Sequence, residues 1–342
     1  MITMREIADV CDCSIATVSK ALHNMPDISE KKGKFIRDKA KEMGYYPNAA
    51  ARALKTRSSK TVALMVFYRE GTIWSHNYYC SIASSIQVET EKRGYDLIPI
   101  NCYGHKVMGN YLDYCKHRNY DGIILFSSDE TKRELEELVG SDIPLVTIDF
   151  KHEKRDSVMT DSKQGVVEIL NRAVQLGHRK IAFIHGNASH VTTERLQAFH
   201  ETCSLHGIKT PPCYIQEIRY LDRRRAERAT KNMLALAEPP TCILYSDDVS
   251  YAGGLKAIEQ QKLHVPNDIS AVGYDGTLVA SLYHPKLTTY YQDATLTGRF
   301  AVEMLFERMD KNNKERPVRH VVVPGTFVQG ETLAKPKERQ SL

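Results

Sequence analysis

The chain has 342 residues, 42% hydrophobic and 26% charged, with a net charge of +5. This is longer than the roughly 250–300 residues of one compact core, so two or three domains are expected, and the composition excludes disordered, collagen-like and disulfide-scaffold proteins. No apolar run reaches the roughly 20 residues of a membrane helix, and the first residues, MITMREIADVCDC, hold Glu6 and Asp9 and do not read as a signal peptide.

The eight cysteines include no C-x-x-C pair. That points to free thiols in a reducing, cytoplasmic compartment and away from a structural zinc site. Charge is uneven along the chain: residues 1–60 hold twelve bases and seven acids, whereas the other 282 residues hold 35 of each. A basic head on a neutral body fits a polyanionic partner for the head alone.

Within the head, Thr3 and Glu6 form the T-x-x-E of a capping box, and Met4, Ile7, Ala8 and Cys11 make one apolar face of a helix over 3–11. Asp12 suits the left-handed backbone of a tight turn. Ser14 is the N-cap of a second helix, from Ile15 to about His23. Its inward side is Val18, Ala21 and Leu22, and its other face is Ile15, Ala16, Thr17, Ser19 and Lys20. Ser29 caps a third helix, with Phe35, Ile36, Ala40 and Met43 inward and Gly44 at its end. Two helices joined by a tight turn and backed by a third make a helix-turn-helix, whose second helix enters the major groove. Read from the residues alone, a small three-helix cap without a ligand remains the alternative.

MREIADVCDCSIATVSKALHN followed by GYYPNAAARALKT resembles the head of the lactose-repressor/galactose-repressor family of bacterial transcription regulators. Two positions depart from the usual pattern, Asp12 for Gly and Cys13 for Val. The resemblance implies that Ile15, Ala16 and Lys20 occupy the base-reading positions. Ile15 and Ala16 offer apolar contact to a thymine methyl, and Lys20 donates to guanine. Thr17, Ser19 and Asn24 would bind phosphate, with Thr3 and Ser14 beside them. It further implies a hinge helix over Asn48–Leu54, with Asn48, Ala51, Arg52 and Arg57 on DNA and Leu54 wedged into a minor-groove base step. Read alone, the same stretch is an alanine-rich linker too short to be stably helical.

From residue 61 the chain alternates strand-like and helix-like stretches. The strands are expected at 61–68, 95–102, 122–127, 144–150, 180–186, 241–247 and 268–275. Helices are expected at Cys80–Gly94, Lys163–Gly177, Glu194–Gly207, Arg223–Ala237 and Val249–Gln261. Such alternation means βαβ units and parallel sheets, and about 270 residues divide into two lobes. No G-x-G-x-x-G or G-x-x-x-x-G-K-[S/T] follows a strand, so a nucleotide cofactor lacks its phosphate loop.

DGIILFS, IPLVTIDF, LGHRKIAFIHG, ERLQAF, VPNDISAVGYDG and LTTYYQD resemble the same family, which shares the two-lobed fold of periplasmic sugar-binding proteins. The implied fold is an N-terminal all-α helix-turn-helix domain with a hinge helix, then a two-lobed α/β periplasmic-binding-protein-like body. The implied boundaries are 1–46 for the DNA-binding domain, 47–60 for hinge and linker, 61–332 for the body and 333–342 for a tail. Within the body the N-lobe spans about 61–159 and 292–322, and the C-lobe about 160–290 and 323–332, with crossings near 158–161, 289–293 and 321–325.

The resemblance places Arg195, Asp275, Asp247, Tyr220, Trp74, Tyr78 and Asp161 at the effector cleft, with Tyr79 in the same loop as Trp74 and Tyr78. Arg195 would take effector oxygens and Asp275 would accept from hydroxyls. Gly276 replaces the acid or amide frequent after Asp275. Read alone, Asp275 also fits a strand-end cap, Arg195 a helix-start ion pair, and Tyr220 and Trp74 surface aromatics. His178 reads as a structural cap. No metal-spaced or Cys–His pattern is found.

The expected function is a sequence-specific DNA-binding regulator, most simply a repressor. It would be a cytoplasmic homodimer or higher oligomer, without cofactor, enzymatic activity or membrane contact, and controlled by a sugar or related metabolite. A transported-solute binding protein would call for a signal peptide and no basic head, and an α/β enzyme would call for a phosphate loop or an acid–base constellation.

Overall fold

The computed structural model describes residues 2–46, 58–67, 74, 76–102, 110–127, 133–310 and 316–337. The chain forms two units, Met1–Ser59 and Lys60–Leu342.

Among the described residues, the first unit forms three helices: α1 (Met4–Val10), α2 (Ile15–Leu22) and α3 (Glu30–Glu42). The capping box is formed. Thr3 Oγ1 accepts from the Glu6 amide at 3.4 Å, and the Glu6 carboxylate accepts from the Thr3 amide at 2.7 Å. Two orphan amides of α1 are thereby satisfied. Asp12 turns the chain at φ +47°, the left-handed conformation that the turn needs. Ser14 Oγ then accepts from the Thr17 amide at 3.1 Å to start α2. Gly44 closes α3 at φ +73°.

Ile7, Ala8, Val18, Ala21, Ile36 and Ala40 make the core of this unit. Phe35, expected inward, is 50% exposed. The buried stripe of α3 runs through Gly33, Ile36 and Ala40, and a residue next to Ile36 is turned about 100° away from it. Arg37 ties α3 to α2 through the Ala21 carbonyl at 3.0 Å. Asn48, Ala51, Arg52, Leu54 and Arg57, with the expected hinge helix, lie outside the described residues.

The second unit alternates strand and helix. Its N-lobe contains β1 (Thr61–Phe67), α4 (Asn77–Glu91), β2 (Asp96–Asn101), α5 (Tyr111–Arg118), β3 (Gly122–Ser127), α6 (Arg133–Val139), β4 (Leu145–Ile148) and β5 (Asp156–Thr160). The C-lobe follows with α7 (Ser162–Gln175), β6 (Ile181–His185), α8 (His190–Leu205), β7 (Ile215–Glu217), α9 (Arg223–Leu234), β8 (Cys242–Tyr245), α10 (Asp248–Gln260), β9 (Ser270–Val272), α11 (Leu278–Leu282) and β10 (Thr289–Gln292). The chain returns with α12 (Ala294–Met309) and β11 (His320–Val323), and ends with β12 (Gly325–Val328).

The N-lobe sheet is parallel, in the order β11-β5-β4-β3-β1-β2, and the C-lobe sheet is parallel in the order β7-β6-β8-β9. Both are apolar on two faces because helices cover both, as βαβ crossovers require. The antiparallel pair β10–β12 lies beside β9, bridged at Val272–Thr288 and Asp275–Tyr291. The chain therefore changes lobe after β5, after β10 and after β11. Asp156, fully buried at the start of β5, binds Arg308 at 2.8 Å and Arg316 at 2.5 Å and fastens the returning segment to the N-lobe.

The expected strands at 122–127, 180–186 and 241–247 coincide with β3, β6 and β8, whereas β5, β7, β10, β11 and β12 lie outside the strands expected from the sequence. Each of those is three to five residues long, too short to show a period. The segment expected to be a tail from 333 begins inside the C-lobe: Leu333 is buried in its core, and the Ala334 carbonyl meets His178 Nε2 at 2.8 Å. His178 is buried and bridges that carbonyl to Thr241 through Nδ1, a structural role.

Candidate functional site

The outward face of α2 carries Ile15, which is 48% exposed, with Ala16 and Lys20 also exposed. Val18 and Ala21 point into the core, so the helix phase alone sets which side chains face outward. Thr17 and Ser19 are half-buried at the edges of this face, and Thr17 Oγ1 lies 2.9 Å from Ser14 Oγ. Asn24 follows the helix at φ +52°, exposed, and Thr3 is exposed at the start of α1. The Lys20 ammonium meets the Asp27 carboxylate at 2.5 Å, and this contact holds the Asp27 carboxyl below its usual range.

In the body, a cavity of about 40 Å³ lies between the lobes, larger than the roughly 10–15 Å³ that holds one water. The C ends of strands and the starts of helices build it, as expected where parallel sheets bind ligands. Asp149 follows β4 at φ +54° and accepts from the Thr160 amide and hydroxyl at 3.1 and 3.2 Å. Asp275 follows β9 at φ +96° and accepts from Gln292 Nε2 at 2.7 Å. Arg195, 4% exposed on α8, lies 3.6 Å over the Tyr274 ring and donates to the Ser246 carbonyl at 3.2 Å. His76 opens α4 and stacks on Tyr79 at 3.9 Å, and Tyr220 bonds Thr192 at 2.9 Å.

Burial dominates the electrostatics. It pushes the Asp275 carboxyl well above the carboxylate range, helped by Asp248 and opposed by Arg195. Burial also raises Asp149, against the two bonds from Thr160. Asp248, buried at the start of α10, is raised to about 7 by burial although Thr289 and Thr277 donate to it. Burial lowers His76 to about 4, so its ring is neutral near pH 7. Burial works against the charge on Arg195, and Tyr274, Tyr220, Asp275 and Asp149 outweigh it, so its net shift is upward.

Of the residues expected at the cleft, Tyr78, Arg195, Tyr220 and Asp275 line the cavity together, whereas Trp74, Asp161 and Asp247 do not. Trp74 is 55% exposed. Asp161 caps α7 through the Gln164 amide at 3.0 Å. Asp247 is buried and caps α10, accepting from the Ser250 amide and hydroxyl, both at 2.7 Å, and from the Leu221 amide at 3.1 Å. Its oxygens serve the fold because an acid after β8 sits at a helix start. The cavity also takes Asp149, Gln292, His76, Phe126, Thr160 and Asn187, which the sequence reading did not single out. Asp149 and Gln292 had a signal, since each ends a recognisable strand, in PLVTIDF and LTTYYQD.

No group of three or more His, Cys, Asp and Glu residues among those described could hold a metal ion. No helix of the described residues is long and apolar enough to cross a membrane.

Residues 3–48 match the family described as bacterial regulatory proteins, lacI family, and residues 170–333 match the periplasmic binding protein-like domain. The chain is 29% identical over 337 residues to the ribose operon repressor of Haemophilus influenzae, covering 97% of this chain and 99% of that one. It is 27% identical over 323 residues to the HTH-type transcriptional repressor PurR of Pasteurella multocida, covering 93% and 95%. Its fold is similar to that of the lac repressor dimer bound to operator and the anti-inducer ONPF, with a TM-score of 0.83 at 22% identity, covering 97% and 99%.

Proposed function

We propose that this chain, a member of the lacI family of bacterial regulatory proteins, represses transcription under the control of a small molecule held between the lobes of its body. The observation that carries the reading is the pairing, in one chain, of an exposed α2 face with a polar cavity at the strand ends of a two-lobed body. It acts as a dimer on operator DNA, as the lac repressor does in its operator complex. One recognition helix reads only a few base pairs, and two-fold pairing supplies the remaining specificity. DNA as the target places the protein in the cytoplasm.

On this reading Ile15, Ala16 and Lys20 read bases, and Thr3, Ser14, Thr17, Ser19 and Asn24 hold the backbone. Asn48, Ala51, Arg52, Leu54 and Arg57 form the hinge contacts. Arg195, Asp275, Tyr220 and Tyr78 hold the effector, joined by Asp149 and Gln292. A ligand alters operator affinity only by binding the repressing and released states differently.

Selection of bound fragments from genomic DNA, followed by footprinting, tests the reading. A pseudo-palindromic site is expected. Arg195→Ala should retain operator binding within a few-fold and lose the roughly 5- to 150-fold effector-dependent change typical of such coupling. Binding without sequence preference would overturn the assignment.

A further inference from the structure

Gly33 is buried inside α3, although glycine is the least favourable residue in a helix interior after proline. No positive φ calls for it there. The space left by its missing side chain is used one turn on. A Cβ at Gly33 would stand 3.0 Å from Arg37 Nη1, with the next neighbouring residue, Ile28, at 3.7 Å. The same Nη1 donates to the Ala21 carbonyl at 3.0 Å, across sixteen residues of chain, and Arg37 is half-buried. Ala21 lies in the last turn of α2, where carbonyls have no partner within the helix. The Asn24 amide reaches this carbonyl only at 3.3 Å. A cation at this end also meets the negative pole of the helix dipole. Gly33 and Arg37 thus make a slot and a tie for the C-terminal end of α2.

The tie acts where the apolar core gives little direction. Val18 and Ala21 are the buried residues of α2, in a core of six of which Ala8, Ala21 and Ala40 are three. Methyl groups make few contacts each, so they hold helices together without fixing how one slides along the other. A hydrogen bond is directional and does fix it. Lys20 precedes Ala21 in the chain, and Asn24 shares the Ala21 carbonyl, so both move with it. Ile15 lies six residues back, about 9 Å along the helix axis. A recognition site must be held within about 0.5 Å of its productive geometry, so a small slide at this end of α2 matters.

We infer that Arg37 is a positioning residue for base reading. Through the Ala21 carbonyl it sets the C-terminal end of α2, and so the reach of Lys20, without itself touching a base. This rests on the proposed function and places a determinant of sequence preference outside α2.

The test uses the full-length protein on operator DNA found by selection, on single-substituted operators and on random duplex. Circular dichroism fixes a temperature at which each variant is folded. Arg37→Met keeps the length of the stem and removes the donor. It should lower the ratio of operator to random affinity by roughly fivefold or more, the lower end of what one base contact is worth. The lost preference should be concentrated at the base pair read by Lys20 and spare those read by Ile15 and Ala16. Arg37→Lys, which puts a donor and a cation back on the stem, should recover about half of that loss or more on a logarithmic scale. Gly33→Ala crowds Nη1 while favouring the helix, so it should lower the same ratio without lowering the thermal midpoint. Equal losses on operator and random duplex would make Arg37 a phosphate contact or a purely structural residue and overturn the inference. So would an unchanged ratio, a loss spread over all base pairs, or an Arg37→Lys variant no better than Arg37→Met. A wild-type protein that selects no operator overturns the proposed function instead.

Discussion

Lys20 on the outer face of α2 is held by Asp27, seven residues on, at 2.5 Å, with both side chains about half exposed. The cation assigned to base reading therefore starts from an intramolecular partner, and DNA must replace Asp27. Asp27→Asn should raise affinity for operator and random DNA alike, by roughly two- to tenfold at low salt. Lys20→Ala should instead cost about 1–3 kcal/mol at one base pair of each half-site and little on random DNA. Titrations of both variants on operator, single-substituted operators and random duplex separate the two effects. Equal losses for Lys20→Ala on all of these would remove Lys20 from base reading.

Ser14 has two separable roles, since its hydroxyl caps α2 and lies on the side expected to meet phosphate. Ser14→Ala should loosen the start of α2 by about 1 kcal/mol, seen as faster amide exchange over residues 15–20. Ser14→Asp keeps the cap and should keep that protection, while weakening DNA binding through its charge. If Ser14→Asp binds DNA as well as the wild type, Ser14 serves the fold alone.

Asp275 makes stability depend on pH in a definite direction. Its carboxyl is raised in the folded protein by burial. From about pH 4 upward, the native state holds this proton longer than the unfolded chain does. The stabilising contribution is thus full at acid pH and is lost as pH rises through the folded pKa. Asp275→Asn keeps the oxygen that accepts from Gln292 and removes the titration. The decline in thermal midpoint of the ligand-free body between pH 4 and 8 should be shallower in Asp275→Asn, with a higher midpoint at pH 8. An unchanged slope would assign the pH dependence to Asp149 and Asp248.

Gly186, at the end of β6, is where the Tyr220 ring comes closest to the backbone: a Cβ there would stand 2.0 Å from a ring carbon. Gly186→Ala must push Tyr220 out of its place on the cavity wall, at about 1–3 kcal/mol of overpacking. Effector response should be lost with the chain still folded and still bound to operator. Circular dichroism and operator titration check this, and a wild-type response would show that Tyr220 is not needed in the cavity.

The sequence by itself determined the head almost entirely. The capping box of Thr3 and Glu6, Asp12 in the turn, the Ser14 cap and the phase of α2 are local, each settled within about four residues, so pattern and structure agree. The longer strands and helices of the body were legible for the same reason: their apolar runs and caps lie next to one another in the chain. Tertiary structure decided what depends on residues far apart in sequence. Asp149, Arg195, Asp275 and Gln292 meet only because two sheets present their strand ends to each other. Nothing near Asp247 or Asp161 in the chain says that their oxygens are consumed by helix starts while Asp149 faces the cavity. Phe35 turned outward because the packing of α3 on α1 and α2 selected Gly33, Ile36 and Ala40. The sequence lists the acids the chain possesses, but which of them face the cavity is fixed by long-range packing, since a carboxylate's role depends on which donors the fold brings to it.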